Sequence, residues 1–221
     1  MGAVPVMGRK KRRQPNSQQS FCPFVDVEGK LQQAISLYQA GQLQQAEQIC
    51  QQILRDFPQH ADALHLLGVI ACQVEEYKIA TDLISQAVEI DSNQSQPKFA
   101  EMYNNLGNAL LGQGRLEESI QAYQQAIHIQ PKFVEVHNSL GNALLGQGRL
   151  EESIQAYQQA IHIQPGHSNA YSTLGIILKE QGRLEESIQA CQQAIHIQPD
   201  HAEAHKNLGI ILLLRGNLLQ G

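Results

Sequence analysis

The chain has 221 residues, of which 42% are hydrophobic and 5% aromatic, with no tryptophan and a formal net charge of −5. The charge is uneven, because residues 1–25 contain five basic and no acidic side chains, which leaves 11 basic against 21 acidic residues in the rest. An acidic body argues against DNA or RNA as the main ligand, since neutralising phosphates requires Lys and Arg.

Residues 1–26 are predicted to be a disordered basic tail. Three prolines and a polar stretch leave too little apolar surface for this segment to order itself. The run Arg9–Arg13 resembles a nuclear-import signal. Its plainer interpretation is a solvated tail that binds nucleic acid or other anionic surfaces non-specifically.

The cysteines and the hydropathy pattern favour a cytoplasmic protein. Cys22, Cys50, Cys72 and Cys191 are far apart and form no CxxC pair, so the sequence predicts neither a zinc site nor a disulfide framework. No apolar run approaches the length of about 18 residues that a membrane span needs. The basic N-terminal cluster is not followed by the apolar region of a secretory signal.

One segment of the chain recurs every 34 residues. The stretch Leu106–Pro131 returns letter for letter at Leu140–Pro165 and with five changes at Leu174–Pro199. A fixed period of this length is typical of stacked supersecondary units. We divide residues 27–221 into units 27–60, 61–94, 100–133, 134–167 and 168–201, with an insertion at 95–99 and a partial unit at 202–221.

Each unit is predicted to form two antiparallel helices joined by a short turn. In the third unit, apolar residues recur at helical spacing between positions 103 and 111 and again between 116 and 129. The Gly112–Gly114 turn ends the first helix, and Pro131 stops the second. A glycine recurs within the first helices, although it costs about 1 kcal/mol relative to alanine there. We therefore expect close helix contacts at Gly68, Gly107, Gly141, Gly175 and Gly209.

This pattern resembles the tetratricopeptide repeat. The resemblance rests on Leu-Gly pairs at 67–68, 106–107, 140–141, 174–175 and 208–209, on Tyr123 and Tyr157, and on Pro58, Pro131, Pro165 and Pro199. Ala34, Cys50, Cys191 and Ser92 depart from it. The resemblance implies an all-α fold, a right-handed α-solenoid of antiparallel helix–turn–helix repeats whose first helices line a concave groove.

The recurring histidines and acidic pairs are explained by helix ends. His128, His162 and His196 fall in the last turn of each second helix, where the macrodipole favours a cation, and Glu117-Glu118 with its equivalents falls in the first turn. Three histidines on successive repeats do not converge on one metal ion. Without a phosphate loop or a hydrolase motif, we expect no enzyme and no cofactor.

The resemblance places the ligand surface on the polar side of the first helices. Asparagine can both donate to and accept from a peptide backbone, which suits binding of an extended chain. Ile176 and Ile210 replace asparagine in the later repeats, so we expect that half of the groove to be more apolar. The candidate groove residues are Asn104, Asn105, Asn108, Asn138, Ser139, Asn142, Ser172, Thr173, Lys206 and Asn207.

The leading hypothesis is a non-catalytic scaffold that binds a protein or extended peptide segment in this groove. The alternative is the substrate-recognition arm of a glycosyltransferase, because residues 104–127 resemble the repeats of O-linked N-acetylglucosamine transferases. The apolar run Ile210–Leu214 has no complete second helix to cover it, so fraying, self-association through this repeat or a longer parent protein is expected.

Overall fold

A computed structural model describes residues 26–90 and 96–218, and within these ranges the chain forms eleven helices and no strand. The predicted all-α class is confirmed. The basic run Arg9–Arg13 and the first residue of the insertion lie outside the described residues. In chain order the helices are α1 (Val27–Gln39), α2 (Leu43–Asp56), α3 (Ala61–Gln73), α4 (Tyr77–Ile90), α5 (Pro97–Gly112), α6 (Leu116–Ile129), α7 (Val134–Gly146), α8 (Leu150–Ile163), α9 (Ser168–Glu180), α10 (Leu184–Ile197) and α11 (Ala202–Leu218).

The turns inside the repeats depend on a left-handed backbone conformation. Gly114 has φ 72° between α5 and α6, and its equivalents Gly41, Gly148 and Gly182 have φ between 74° and 76°. Glycine adopts this conformation without a steric penalty. In the second repeat the turn residue is Glu75, with φ 63°, which strains a residue that has a β-carbon.

Helix α6 ends where the sequence predicts. Its last residue is Ile129, and Pro131 lies two positions further along the chain. The beginning of α5 is earlier than the repeat period indicates. Residues 97–99, which the sequence assigns to the insertion, form the first turn of α5, and Pro97 occupies a first-turn position where its missing N–H is not needed. The insertion therefore lengthens this helix to 16 residues.

The helices stack in a single curved array. Each helix packs against the next along the chain, and among the odd-numbered helices α1 contacts α3, α3 contacts α5, α5 contacts α7 and α9 contacts α11. No two even-numbered helices are in comparable contact within the described residues. The odd-numbered helices are therefore closer together and form the inner, concave row, while the even-numbered helices form the outer row.

The core runs continuously from repeat to repeat. In one cluster Tyr123 of α6 packs with Ala100 of α5, with Val136 and Leu144 of α7 and with Ala156 of α8. Tyr123 is fully buried. No repeat encloses a core of its own, because each buries its apolar face against its neighbours.

The predicted close contacts at the repeated glycines are confirmed at four of the five positions. A β-carbon at Gly107 would lie 2.5 Å from Cε1 of Tyr123, and one at Gly141 would lie 2.7 Å from Cε2 of Tyr157. Gly68 approaches Ile84 and Gly175 approaches Cys191 in the same way. At Gly209 nothing lies within 4 Å, since no second helix follows α11 in the described part of the chain.

The paired glutamates at the beginning of the second helices also form contacts within and between repeats. Glu118 forms a two-pronged ion pair with Arg115 of its own repeat, which lowers the pKa of the carboxyl group. Glu117 instead accepts from Gln147 of the next repeat at 3.0 Å and lies 3.7 Å from Arg149. Glu151 with Gln181 and Glu185 with Arg215 repeat this inter-repeat contact. One glutamate of each pair therefore ties adjacent repeats together.

The last helix differs from the other odd-numbered helices. It continues through Gly216, the position equivalent to the turn glycines of earlier repeats, and reaches Leu218. Four of its apolar side chains remain in solvent: Leu213 is 70% exposed, and Ile210, Leu212 and Leu214 are at least 40% exposed. A large exposed apolar patch of this kind marks a contact surface or an aggregation site.

Candidate functional site

The concave row presents two grooves. The first, here called the N-terminal groove, has a volume of about 540 Å³ and runs across α1, α3 and α5. Its floor is apolar, with Leu31 and Ile35 from α1, Leu66 and Val69 from α3 and Met102 from α5. Of the ten predicted groove residues, only Asn105 lines it. An apolar floor with a few polar groups is typical of a ligand groove.

Three carboxylates line the same groove. Glu28, Asp62 and Glu101 come from α1, α3 and α5 in that order. Lys98 is the only lysine or arginine in the lining, and its Nζ lies 3.8 Å from Oδ1 of Asp62. The groove is therefore acidic in balance.

A histidine–asparagine pair in the lining of the N-terminal groove connects two of its helices. Nδ2 of Asn105 lies 3.0 Å from Nε2 of His65, which joins α5 to α3. Burial lowers the pKa of His65 to about 4, against a smaller opposing effect of Asp62. At neutral pH this imidazole is therefore uncharged and accepts the amide proton.

The second, C-terminal groove lies between α7 and α9 and has a volume of about 300 Å³. Three predicted residues, Asn138, Asn142 and Thr173, meet in it. Glu135, His167 and Asn169 complete its polar lining. This groove is lined mainly by hydrogen-bonding groups, in contrast to the apolar floor of the first.

Two tyrosines hold two of the predicted asparagines in place. The hydroxyl of Tyr123 donates to Oδ1 of Asn108 at 2.7 Å, and that of Tyr157 donates to Oδ1 of Asn142 at 2.5 Å. Burial raises the pKa of Tyr157 to about 12, so its hydroxyl keeps its proton. Both asparagines are exposed, and their amide N–H groups have no partner among the described residues. Each carboxamide is thus oriented with a free donor.

The tautomer of His167 fixes the orientation of Asn138. Nδ1 of His167 accepts from the backbone N–H of Ala170 at 3.2 Å, so the proton of the neutral ring is on Nε2. The amide nitrogen of Asn138 lies 3.0 Å from this Nε2, while its Oδ1 is buried without a partner. Exchanging the oxygen and nitrogen of the carboxamide allows its Oδ1 to accept from the Nε2–H of His167.

The remaining predicted residues differ in accessibility. Ser172 is 3% exposed and Asn207 is 8% exposed, and each has a buried polar atom without a partner, as does Asn104. Ser139 lies on the side of α7 that approaches Tyr123, where its side chain opposes the effect of burial on the pKa of that tyrosine. Lys206 is exposed and its Nζ lies 3.2 Å from Oε1 of Glu203 in its own helix. The ten residues therefore do not form one continuous surface.

Sequence reasoning missed the acidic row. Glu28, Asp62, Glu101, Glu135 and Glu203 occupy the same register of five odd-numbered helices, and their recurrence at the repeat spacing was the available signal. It also missed the apolar residues that precede Asn108 and Asn142 in the same register. Ile35 and Val69 hold this register in the first two repeats, and Ile176 and Ile210 hold it in the last two.

The histidines in the last turns of α6, α8 and α10 are all exposed, as expected for helix-end residues. Across the described ranges no group of three His, Cys, Asp or Glu side chains is placed to hold a metal ion. None of the described helices is both long and apolar enough to cross a membrane.

An all-α array of stacked helical hairpins with a concave inner row is an α-solenoid. The chain belongs to the tetratricopeptide repeat family. The family model described as tetratricopeptide repeat matches residues 37–105 and 144–206, which is more than half of the chain, and a TPR repeat model matches residues 107–148. Arrays of this family are typically protein-interaction scaffolds.

Two curated proteins are similar over part of the chain. A probable UDP-N-acetylglucosamine–peptide N-acetylglucosaminyltransferase, SEC of Arabidopsis thaliana, is 33% identical over 102 residues, which is 46% of this chain. The small glutamine-rich tetratricopeptide repeat-containing protein 2 of Mycosarcoma maydis is 37% identical over 57 residues, which is 26% of this chain. The matches span only 10% and 15% of these relatives.

Solved structures show the same fold at low sequence identity. YrrB, a TPR protein with an unusual peptide-binding site, aligns with a TM-score of 0.68 at 22% identity over 82% of this chain and 91% of YrrB. PilF of Pseudomonas aeruginosa aligns with a TM-score of 0.70 at 19% identity over 88% of this chain and 92% of PilF. Residues 41 to the end of MamA from Desulfovibrio magneticus align with a TM-score of 0.70 at 14% identity, over 80% of this chain and 97% of that one.

Proposed function

We propose that this chain is a non-catalytic scaffold that binds an extended peptide or protein segment along its concave row. The observation that carries the proposal is the pair Asn108 and Asn142. Each is exposed and oriented by a buried tyrosine, and each has an amide N–H group free to donate to a ligand carbonyl. Because the carboxamides are already oriented, little conformational entropy is lost on binding.

A peptide-binding assay on the full chain tests this proposal. A peptide selected from a random library against the full chain is labelled, and its affinity is measured for the double variant Asn108→Ala, Asn142→Ala. We expect affinity to fall about tenfold, because two hydrogen bonds contribute roughly 0.5–1.5 kcal/mol each. The control is Gln124→Ala, Gln158→Ala, which truncates exposed residues of α6 and α8 in the outer row at the same 34-residue spacing.

The control variant should bind like the unmodified chain. Equal affinity of the asparagine double variant, with circular dichroism showing an intact fold, would contradict the assignment of the groove. So would an equal loss in the outer-row control, because it would place the peptide on the even-numbered helices.

A second candidate function is the substrate-recognition arm of a glycosyltransferase. It is favoured by the likeness of 102 residues to a probable N-acetylglucosaminyltransferase, of which the match spans 10%. The full-length transcript and the mass of the endogenous protein discriminate the two functions. A nucleotide-sugar-binding domain in the same polypeptide would support the arm, and an endogenous protein of the mass of this chain would exclude it.

We further propose that the chain self-associates through α11, on the support of its exposed residues Ile210 and Leu212–Leu214.

The cytoplasm remains the proposed compartment, because Cys50, Cys72 and Cys191 are free thiols. Binding of nucleic acid or anionic surfaces through Arg9–Arg13 is a separate proposal. It predicts binding that declines steeply with salt.

A further inference from the structure

The N-terminal groove is acidic, and within the described residues an ion pair neutralises only one of its three carboxylates. Glu28 and Glu101 are exposed and have no ion-pair partner among the described residues, while Asp62 lies 3.8 Å from Lys98. His65, in the same lining, is neutral at pH 7 because burial lowers its pKa. Three carboxylates thus face one ammonium group above an apolar floor of five side chains. A segment rich in lysine and arginine complements this lining.

Such a segment is present in the chain itself. Residues 1–25 contain Arg9, Lys10, Lys11, Arg12 and Arg13 and no acidic residue. The segment joins α1 at Asp26, and α1 forms one wall of the groove through Glu28 and Leu31. The long alkyl parts of lysine and arginine can cover an apolar floor while their charged ends contact carboxylates at the rim.

The connecting chain is long enough. Thirteen residues from Arg13 to Asp26 span up to about 45 Å when extended, at roughly 3.3–3.6 Å per residue. The groove crosses three helices of the inner row, and packed helix axes lie about 8–10 Å apart, so its width is about 20 Å. A short tether of this kind gives the segment an effective concentration in the millimolar range.

We propose that residues 9–13 fold back and occupy the N-terminal groove, with their cationic groups against Glu28, Asp62 and Glu101. The segment then competes with any external ligand for this half of the concave row. This inference concerns the groove of α1, α3 and α5, whereas the proposed peptide contacts at Asn108 and Asn142 lie farther along the row. Each can therefore fail without the other.

Zero-length carbodiimide cross-linking of the full chain, with peptide mapping by mass spectrometry, tests the contact. We expect links from Lys10 or Lys11 to Asp62 and Glu101, and these should be about tenfold more abundant than links to Asp56, an exposed carboxylate at the end of α2 outside the groove. The Lys98–Asp62 pair should be linked in every sample that retains Asp62, as an internal control of the chemistry.

Three variations decide the result. Raising the salt concentration to 1 M shortens the screening length to about 3 Å and should reduce the tail links severalfold. The double variant Asp62→Asn, Glu101→Gln should reduce the tail links to the remaining groove carboxylate, Glu28, severalfold, whereas Glu135→Gln and Glu203→Gln, in the same register farther along the row, should leave the links to Asp62 and Glu101 unchanged. In an equal mixture of ¹⁴N- and ¹⁵N-labelled chains, each link should join peptides of one label.

Two outcomes would overturn the proposal. Equal linking to Asp56 and to the groove carboxylates would mean that the tail contacts the surface without selection. Links that join one light and one heavy peptide would assign the groove to the tail of a second copy. Neither outcome depends on the binding of an external peptide.

Discussion

At the scale of single residues, glycine is required where a helix meets the side chain of its partner. The ring of Tyr157 contacts the bare backbone at Gly141, and its hydroxyl is held by Asn142 at 2.5 Å. The ring is thus fixed at both ends and cannot move away from an added methyl group. The sequence predicted this close approach from the cost of a repeated mid-helix glycine, but it could not show which side chain fills the space.

We expect Gly141→Ala to lower the free energy of unfolding by about 1–3 kcal/mol, because a new β-carbon would lie 2.7 Å from the Tyr157 ring. Urea denaturation followed by circular dichroism measures the change. The control is Gly146→Ala in the same helix, where the nearest atom lies at 3.5 Å. This control should be neutral or stabilising by up to about 1 kcal/mol, since alanine favours helix over glycine. Similar losses in both variants would contradict the argument.

A second prediction at this scale concerns His65. Burial lowers its folded-state pKa from 6.5 to about 4, so between these values the unfolded chain binds a proton that the folded chain does not. Stability therefore falls as the pH decreases from 6.5 toward 4. At pH 5 the loss relative to pH 7 is about 2 kcal/mol from this group alone.

Urea denaturation at pH 7 and pH 5 checks this contribution. His65→Gln should remove about 2 kcal/mol from the difference between the two pH values. An unchanged pH dependence in His65→Gln would mean that the imidazole is accessible to protons in the folded chain.

At the scale of elements, the helix boundaries could be predicted where a residue physically enforces them. Gly114 adopts the left-handed turn that follows α5, and Pro131 follows the last residue of α6 by two positions. The early beginning of α5 was not predictable from the period, since residues 97–99 belong to no repeat. The passage of α11 through Gly216 was not predictable from its glycine either. A turn there has no second helix to pack against in the described chain.

The candidate site could be predicted only in part for a similar reason. The repeat register identified Asn108 and Asn142, because the Leu-Gly pairs fix which side of each first helix remains polar. It did not reveal the contacts that cross between repeats, such as the 3.0 Å contact between His65 and Asn105. Such contacts depend on the superhelical offset of neighbouring helices, which a one-dimensional period does not specify.

At the scale of the whole molecule, the polarity of the concave row changes along the array. The first concave groove has an apolar floor and three carboxylates, and the second is lined mainly by amide, hydroxyl and imidazole groups. The repeats with identical sequence, 106–131 and 140–165, lie between regions that differ from each other. For the proposed peptide binding, discrimination between ligands would depend on the divergent repeats, because the identical ones provide the same hydrogen-bonding surface twice.

The exposed face of α11 leads to a prediction about assembly. Leu213 is 70% exposed and is flanked by Leu212 and Leu214, so burying this surface against another molecule removes apolar area from water. We expect sedimentation velocity to show a concentration-dependent dimer for the full chain. Leu213→Gln should weaken this dimer about tenfold, since one buried leucine contributes roughly 1.5–3 kcal/mol.

The control is Ile79→Gln, which changes a 51% exposed apolar residue of α4 and should leave the dimer intact. A strictly monomeric chain, or equal effects of both variants, would show that α11 is not the contact. Because α11 lies at the opposite end of the array from the N-terminal groove, the dimer should form without competing with the basic segment.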